Sequence, residues 1–144
     1  MIRRIETAPG LAPSIGPYSQ AVVANGFVFT TGQVPFAADG VKPEAFEDQV
    51  RTCLSNLKSV LETAGSGIDR VVKVNAYLTA PEQREPFNRV YADFFAEAKP
   101  ARTTVCVSIW DISLEVECVA VVDEAASADE TAGVADVAAP EVVA

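Results

Sequence analysis

Apolar and polar positions along this chain alternate with period two, then three-to-four, then two again, and each change marks an element. Two β-rich runs, Ala21-Val22-Val23-Ala24 and Phe27-Val28-Phe29-Thr30-Thr31, flank Asn25-Gly26. An Asn-Gly between apolar runs predicts a tight hairpin, because both central residues of the favoured turn need positive φ. Gly32-Gln33-Val34-Pro35 ends the second strand, and a polar loop follows through Gly40. Over residues 43–64 the period becomes helical: Phe46, Val50, Cys53 or Leu54, Leu57 and Leu61 fall on one face. Ala64-Gly65-Ser66-Gly67 closes this helix, with glycine as the expected C-cap. Residues 71–78 read as a valine-rich strand, with Val72, Val74 and Ala76 alternating against Lys73 and Asn75. A second helix is expected over 81–98, with Phe87, Val90 or Tyr91, and Phe94 or Phe95 facing inward. The last strands are 103–109 and 114–122, joined by Trp110-Asp111-Ile112-Ser113. The order β-β-α-β-α-β-β predicts an α/β (α+β) domain, one sheet with both helices packed on one face.

The chain has 144 residues, enough for a single domain with a real core. No apolar run approaches the ~18–20 residues needed to span a bilayer. Met1-Ile2-Arg3-Arg4-Ile5-Glu6 carries basic residues with no long apolar stretch after them, so it does not read as a secretory signal. A cytoplasmic location is expected. After Asp123 the composition shifts to Ala, Val, Asp, Glu, Ser and Thr, with no aromatic and no base. The expected boundaries are a folded domain over 1–124 and a flexible acidic Ala-rich tail over 125–144.

Charge follows the same division. Residues 1–102 hold eleven basic and eleven acidic residues, while 103–144 hold nine acids and no base, which accounts for the net −9. An acidic chain without a basic cluster is a poor match for phosphate backbones, so nucleic acid is not expected as a partner. The three cysteines, Cys53, Cys106 and Cys118, are odd in number and unevenly spaced, which suits a reducing compartment. All three fall in apolar patterns and read as buried, inert thiols. The chain has no histidine. Ser-His-Asp and Cys-His pairs are thereby excluded, together with most zinc sites, and acid–base chemistry falls to carboxylates, tyrosine, lysine, thiols, backbone or water.

The candidate chemistry centres on Arg102, the last positive charge in the chain, in Pro100-Ala101-Arg102-Thr103-Thr104-Val105. A guanidinium entering a β-branched strand stays ionised and needs an anion, and its planar fork matches a carboxylate bidentately. That anion is either a protein side chain or a small ligand. In a strand, Arg102, Thr104, Cys106 and Ser108 share a small, polar face. Glu115 and Glu117 share one face of the next strand, and a glutamate opposite Arg102 would make an internal salt bridge. Two further segments stand out. Gly16-Pro17 fixes a turn that presents Tyr18 at a sheet edge or cleft. Gly32, at a strand end, lets a ligand approach the backbone beside the Thr31 hydroxyl. Asn88 and Tyr91, three apart, are neighbours on the second helix, as a pocket pair or a plain surface pair.

In this order the segments Ile15-Gly16-Pro17-Tyr18-Ser19-Gln20, Thr30-Thr31-Gly32-Gln33-Val34-Pro35, Phe87-Asn88-Arg89-Val90-Tyr91-Ala92-Asp93-Phe94-Phe95, Pro100-Ala101-Arg102 and Leu114-Glu115-Val116-Glu117-Cys118-Val119-Ala120 resemble the Rid family (YjgF/YER057c/UK114), the reactive-intermediate and imine deaminases. The resemblance covers about residues 5–123 and omits the tail. It implies a chorismate-mutase-like fold, a homotrimer with ligand sites in clefts between subunits, and no metal or organic cofactor. The implied reaction is hydrolysis of 2-aminoacrylate and related 2-imino acids to 2-keto acids and ammonia. Carried over by position, Arg102 would hold the substrate carboxylate. Tyr18 and Glu115 would manage the attacking water, and Thr31, Gly32 and Asn88 would line the pocket. Many members have a cysteine where this chain has Thr104. A threonine there keeps a hydrogen-bonding group and loses the thiol. The link between the last two strands is also shorter than usual in the family. The competing readings are a non-catalytic, chaperone-like or small-carboxylate-binding relative and, with less support, a ribonuclease or translation inhibitor.

Overall fold

The computed structural model describes residues 1–122. The expected acidic tail over 125–144 lies outside the described residues. Six strands form one sheet in the order β1-β2-β3-β6-β4-β5, where β1 is Ile2–Ile5, β2 Ala21–Ala24, β3 Phe27–Thr30, β4 Val71–Leu78, β5 Ala101–Cys106 and β6 Leu114–Val121. Two helices complete the domain, α1 at Phe46–Thr63 and α2 at Arg84–Phe95. All pairs are antiparallel except β4 with β5, which run parallel and are joined through α2.

The hairpin forms where Asn25-Gly26 predicts it. Asn25 and Gly26 take φ of 51° and 79°, and Ala24 pairs directly with Phe27, leaving a two-residue turn. β1 was not expected: Ile2-Arg3-Arg4-Ile5 carries no alternation to read, and it becomes a strand by pairing with β2 at the sheet edge. α1 ends in a Schellman motif. Gly65 sits at φ 85°, Ser66 N–H donates to the Leu61 carbonyl at 2.8 Å, and Gly65 N–H donates to Glu62 at 3.1 Å. The second helical stretch divides into a 3₁₀ turn at Pro81–Gln83, α2, and a further 3₁₀ turn at Ala96–Ala98. β5 starts two residues earlier than expected and stops at Cys106.

The core lies between the helices and one face of the sheet. Val50, Cys53, Leu54, Leu57, Val60 and Leu61 of α1 are fully buried, as are Val28, Val74, Leu114, Val116 and Ala120 of the strands. Burial of each large aliphatic side chain stabilises the fold by about 1.5–3 kcal/mol. No described element covers the opposite face of the sheet. There Phe27 pairs with Val121 and Phe29 with Val119, and Phe27, Phe29 and Val121 remain 38%, 48% and 37% exposed.

Candidate active site

Sheet register sorts the candidate residues into two groups on opposite faces. Arg102 pairs with Val74, and Val74 pairs with Cys118, so Arg102 lies on the helix-covered side. Glu115 pairs with Tyr77 and Glu117 with Asn75, on the uncovered side. The alternative of a salt bridge between Arg102 and a β6 glutamate is therefore excluded: the two strands are separated by β4, and the side chains point to different faces.

The first group is built around the exit of β3. Thr31 N–H donates to the Gln20 carbonyl at 2.8 Å, and Thr31 Oγ1 donates to the Ser19 carbonyl at 2.5 Å. This ties the Tyr18-Ser19-Gln20 segment to the strand. It also commits the Thr31 hydroxyl proton to backbone, leaving its lone pairs for any ligand. Gln33 Nε2 donates to Gln20 Oε1 at 3.1 Å, and Gln20 Nε2 donates to Ser14 Oγ at 3.0 Å. Gln20 and Gln33 are both buried. They form a frame for the loop, a role that no pattern in the Ile15–Gln20 and Thr30–Pro35 segments signals. Tyr18 folds its ring back over Gly16, where a Cβ would fall 2.8 Å from the ring, and the ring stays 42% exposed. The phenol thus borders an open groove lined by Arg4, Glu6, Ser14 and Ser19.

Glu115 joins this group directly. Its carboxyl lies over Gly32, and paired backbone bonds between Gln33 and Val116 hold the two segments together. Burial first, and then the neighbouring Glu117 carboxylate, raises the Glu115 pKa above the ordinary glutamate value. Glu117 is itself fixed by Tyr77, whose hydroxyl donates to Oε1 at 2.5 Å, and by Asn75 Nδ2 at 3.3 Å. The hydrogen bond to Glu117, with burial next, pushes the Tyr77 phenol up to about 12.

The second group surrounds Arg102. Its Nη2 donates to Asn88 Oδ1 at 2.8 Å, and its guanidinium carbon lies 4.5 Å from the Tyr91 ring centroid and 5.5 Å from that of Phe87. Among the described residues no carboxylate pairs with it. Thr104 lies two residues along the same face, and its Oγ1 is buried without a hydrogen-bond partner among the described residues. A half-buried cation with donors left over, beside an unpartnered hydroxyl, is chemically suited to a small carboxylate.

The structure decides one open alternative and corrects one expectation. Asn88 and Tyr91 are not a plain surface pair, since both contact Arg102. Tyr91 faces inward. It is buried, stacked between Phe87 and Phe95 at centroid distances of 5.6 Å and 4.4 Å. Burial raises its phenol to about 12, with Arg102 acting in the opposite direction and Cys118 in the same one. Cys106 is not a buried thiol. It is exposed, because β5 is an edge strand and ends there, whereas Cys53 and Cys118 are buried as expected. Burial pushes the Cys118 thiol up to about 12. Among the described residues, no group of three or more Cys, Asp or Glu side chains is placed to hold a metal ion, and no helix is long and apolar enough to cross a membrane.

Known proteins share this fold. The sequence profile of the family described as Endoribonuclease L-PSP matches residues 9–122. The mitochondrial protein mmf1 of Schizosaccharomyces pombe is 40% identical over 112 residues, covering 74% of this chain and 69% of that one. A RutC family protein of Pyrococcus horikoshii is 42% identical over 111 residues, covering 74% and 87%. Among solved structures, Escherichia coli TdcF with bound serine superposes with a TM-score of 0.78 at 32% identity, covering 84% of this chain and 100% of that one. A Rid-family protein of Yersinia pestis superposes with a TM-score of 0.79 at 35% identity, covering 85% and 100%. With one sheet, two helices and a family match spanning nearly every described residue, the chain belongs to the Endoribonuclease L-PSP family, the YjgF/Rid family.

Proposed function

We propose that this protein is a cofactor-independent 2-imino acid deaminase whose sites form between copies of the chain. The observation that carries the reading is Arg102, a cation that no carboxylate among the described residues pairs with, held by Asn88 and sharing a strand face with Thr104, whose hydroxyl has no partner among those residues. Arg102 takes the substrate carboxylate. Tyr18, Thr31, Gly32 and Glu115 supply the water-handling half. These halves lie on opposite faces of one protomer's sheet, so a complete site needs the second half from a neighbour. The uncovered stripe of Phe27, Phe29 and Val121 gives such an assembly, a homotrimer by family resemblance, an apolar surface to bury. The bound serine of the TdcF relative is itself a small amino acid carrying a carboxylate, in keeping with this ligand class.

In the reaction, 2-aminoacrylate first tautomerises to 2-iminopropanoate. Arg102 anchors the carboxylate, which sets the imine carbon beside the Glu115–Tyr18 half. Glu115, ionised, accepts a proton from water while the oxygen bonds to the carbon of the protonated imine and the C=N electron pair moves onto nitrogen. The resulting carbinolamine collapses: Glu115 returns its proton to the amino group, the C–N bond breaks and ammonia leaves, the hydroxyl proton passes through Glu115 to water, and a 2-keto acid remains. Water is the only co-reactant. The raised pKa of Glu115 makes it a stronger base than an ordinary glutamate once ionised.

The test is a coupled assay. A pyridoxal-phosphate dehydratase generates 2-aminoacrylate from serine, an amino-acid oxidase supplies other 2-imino acids, and keto-acid release is followed. Wild type accelerates release, and Arg102→Ala does not while keeping its fold and assembly. Binding of 2-oxobutanoate without turnover of any imine would move the assignment to a non-catalytic carboxylate-binding protein.

A further inference from the structure

The proposed clamp carries a feature that substrate binding alone does not require. Arg102 is held from two directions by one helix. Asn88 Oδ1 takes an Nη2 proton at 2.8 Å, while the guanidinium carbon lies 4.5 Å from the Tyr91 centroid and 5.5 Å from the Phe87 centroid. These three residues fall at positions 87, 88 and 91 of α2, so one turn presents both the acceptor and the two rings. Tyr91 is in turn stacked on Phe95 at 4.4 Å, and Phe87 and Phe95 are buried in the core, so the ring under the cation cannot tilt away without disturbing packed neighbours. The Tyr91 hydroxyl is buried and has no hydrogen-bond partner among the described residues. It is the ring face that meets Arg102.

We infer that Tyr91 is a positioning residue for Arg102: its ring, backed by Phe95 and flanked by Phe87, fixes the plane of the guanidinium so that the fork edge not bound to Asn88 stays open to a carboxylate. A lysine at position 102 could not use this shelf in the same way, because an ammonium has neither a plane to stack nor a fork to orient. The sequence contains the signal in retrospect. Phe87, Tyr91 and Phe95 recur at four-residue steps, which puts three aromatic rings in a row along one helix face.

The kinetic arm of the test rests on the deaminase reading, and a spectroscopic arm does not. Three variants are compared with wild type: Tyr91→Phe, which keeps the ring; Tyr91→Leu, which removes it; and Tyr91→Met, which removes it with an adaptable side chain should leucine disturb the core. Circular dichroism and sedimentation establish that each is folded and assembled. Because the clamp holds the carboxylate equally before and during reaction, loss of the shelf raises KM, and the Kd for 2-oxobutanoate, about ten-fold with kcat nearly kept. Tyr91→Phe stays within about two-fold of wild type, since the hydroxyl contributes no bond. The Arg102 Nη resonances, resolved by hindered rotation in wild type and Tyr91→Phe, merge in the Leu or Met variant. Unchanged KM and unmerged resonances in the ringless variants overturn the inference, as does a Phe variant that loses as much as the Leu variant. If wild type neither binds 2-oxobutanoate nor turns over any imine, the deaminase reading fails, and the Nη resonances alone decide the positioning role.

Discussion

The Glu115 carboxyl occupies the space that a side chain at position 32 would need: a Cβ on Gly32 would lie 1.9 Å from Oε1 and 2.6 Å from Cδ. The backbone there is in a region open to any residue, so glycine is required by this contact and not by its dihedral angles. Gly32→Ala is expected to displace the carboxyl by about an ångström or more and to lower kcat/KM about 100-fold. The carboxylate is the free end of a flexible side chain, so Tm should move by only a few degrees. Steady-state kinetics and a melting curve on the same preparation check both halves. A Gly32→Ala enzyme with full activity would remove Glu115 from the reaction.

Glu115 also sets a pH dependence. Half-buried beside Glu117 and opposite Tyr77, it ionises at higher pH than an ordinary glutamate. A base that must be ionised gives a rate that climbs as pH rises through that raised pKa, so the acid limb lies above the usual glutamate range. Glu117→Gln removes the second cause of the shift, and the acid limb of kcat/KM should move to lower pH while burial keeps it from reaching the free value. A limb that stays in place, or moves up, would show that Glu117 does not act on the titrating group.

The same shift has a consequence for stability. A carboxyl whose folded pKa is raised favours the fold while protonated, and that contribution is lost as pH rises through the folded pKa. At neutral pH the ionised Glu115 therefore costs stability, tempered by its partial exposure to solvent. Glu115→Gln should melt a few degrees higher than wild type at neutral pH, with the difference vanishing below the ordinary glutamate range, even though the variant is inactive. Melting curves across pH measure this directly.

Phe29, 48% exposed on the uncovered face and paired with Val119, provides a test of assembly. Phe29→Glu places a charge in the stripe that the homotrimer is proposed to bury. Sedimentation velocity should show protomers with near-native circular dichroism and little deaminase activity. Retention of the trimer would place the interface elsewhere.

Much of this arrangement is legible in the sequence. Asn25-Gly26 announces the hairpin, and the α1 stripe and its glycine stop are visible in the spacing of apolar residues. Alternation within β5 correctly places Arg102 and Thr104 on one face. Alternation is relative, however: it says that Arg102 and Thr104 agree, and that Glu115 and Glu117 agree, without saying which side of the sheet each pair takes. That is fixed by register, here Arg102 with Val74, Val74 with Cys118, and Glu115 with Tyr77. Hence an internal salt bridge looked available from sequence and is absent in the fold. Cys106 is exposed for a related reason, since an apolar strand pattern does not reveal that the strand lies at an edge. Ile2–Ile5 has no pattern of its own and is a strand only through its partner.

The central claim is that Arg102 and Glu115 act on one substrate from two copies of the chain, and complementation tests it most directly. Arg102→Ala and Glu115→Gln, each inactive alone, are mixed in equal amounts, unfolded together and refolded. In a trimer with shared sites, random mixing pairs an intact Arg102 with a neighbour's intact Glu115 at about a quarter of the sites, so about a quarter of wild-type activity should return. If the mixture is as inactive as its parents while sedimentation shows mixed trimers, both residues must come from a single copy and the proposed site is wrong.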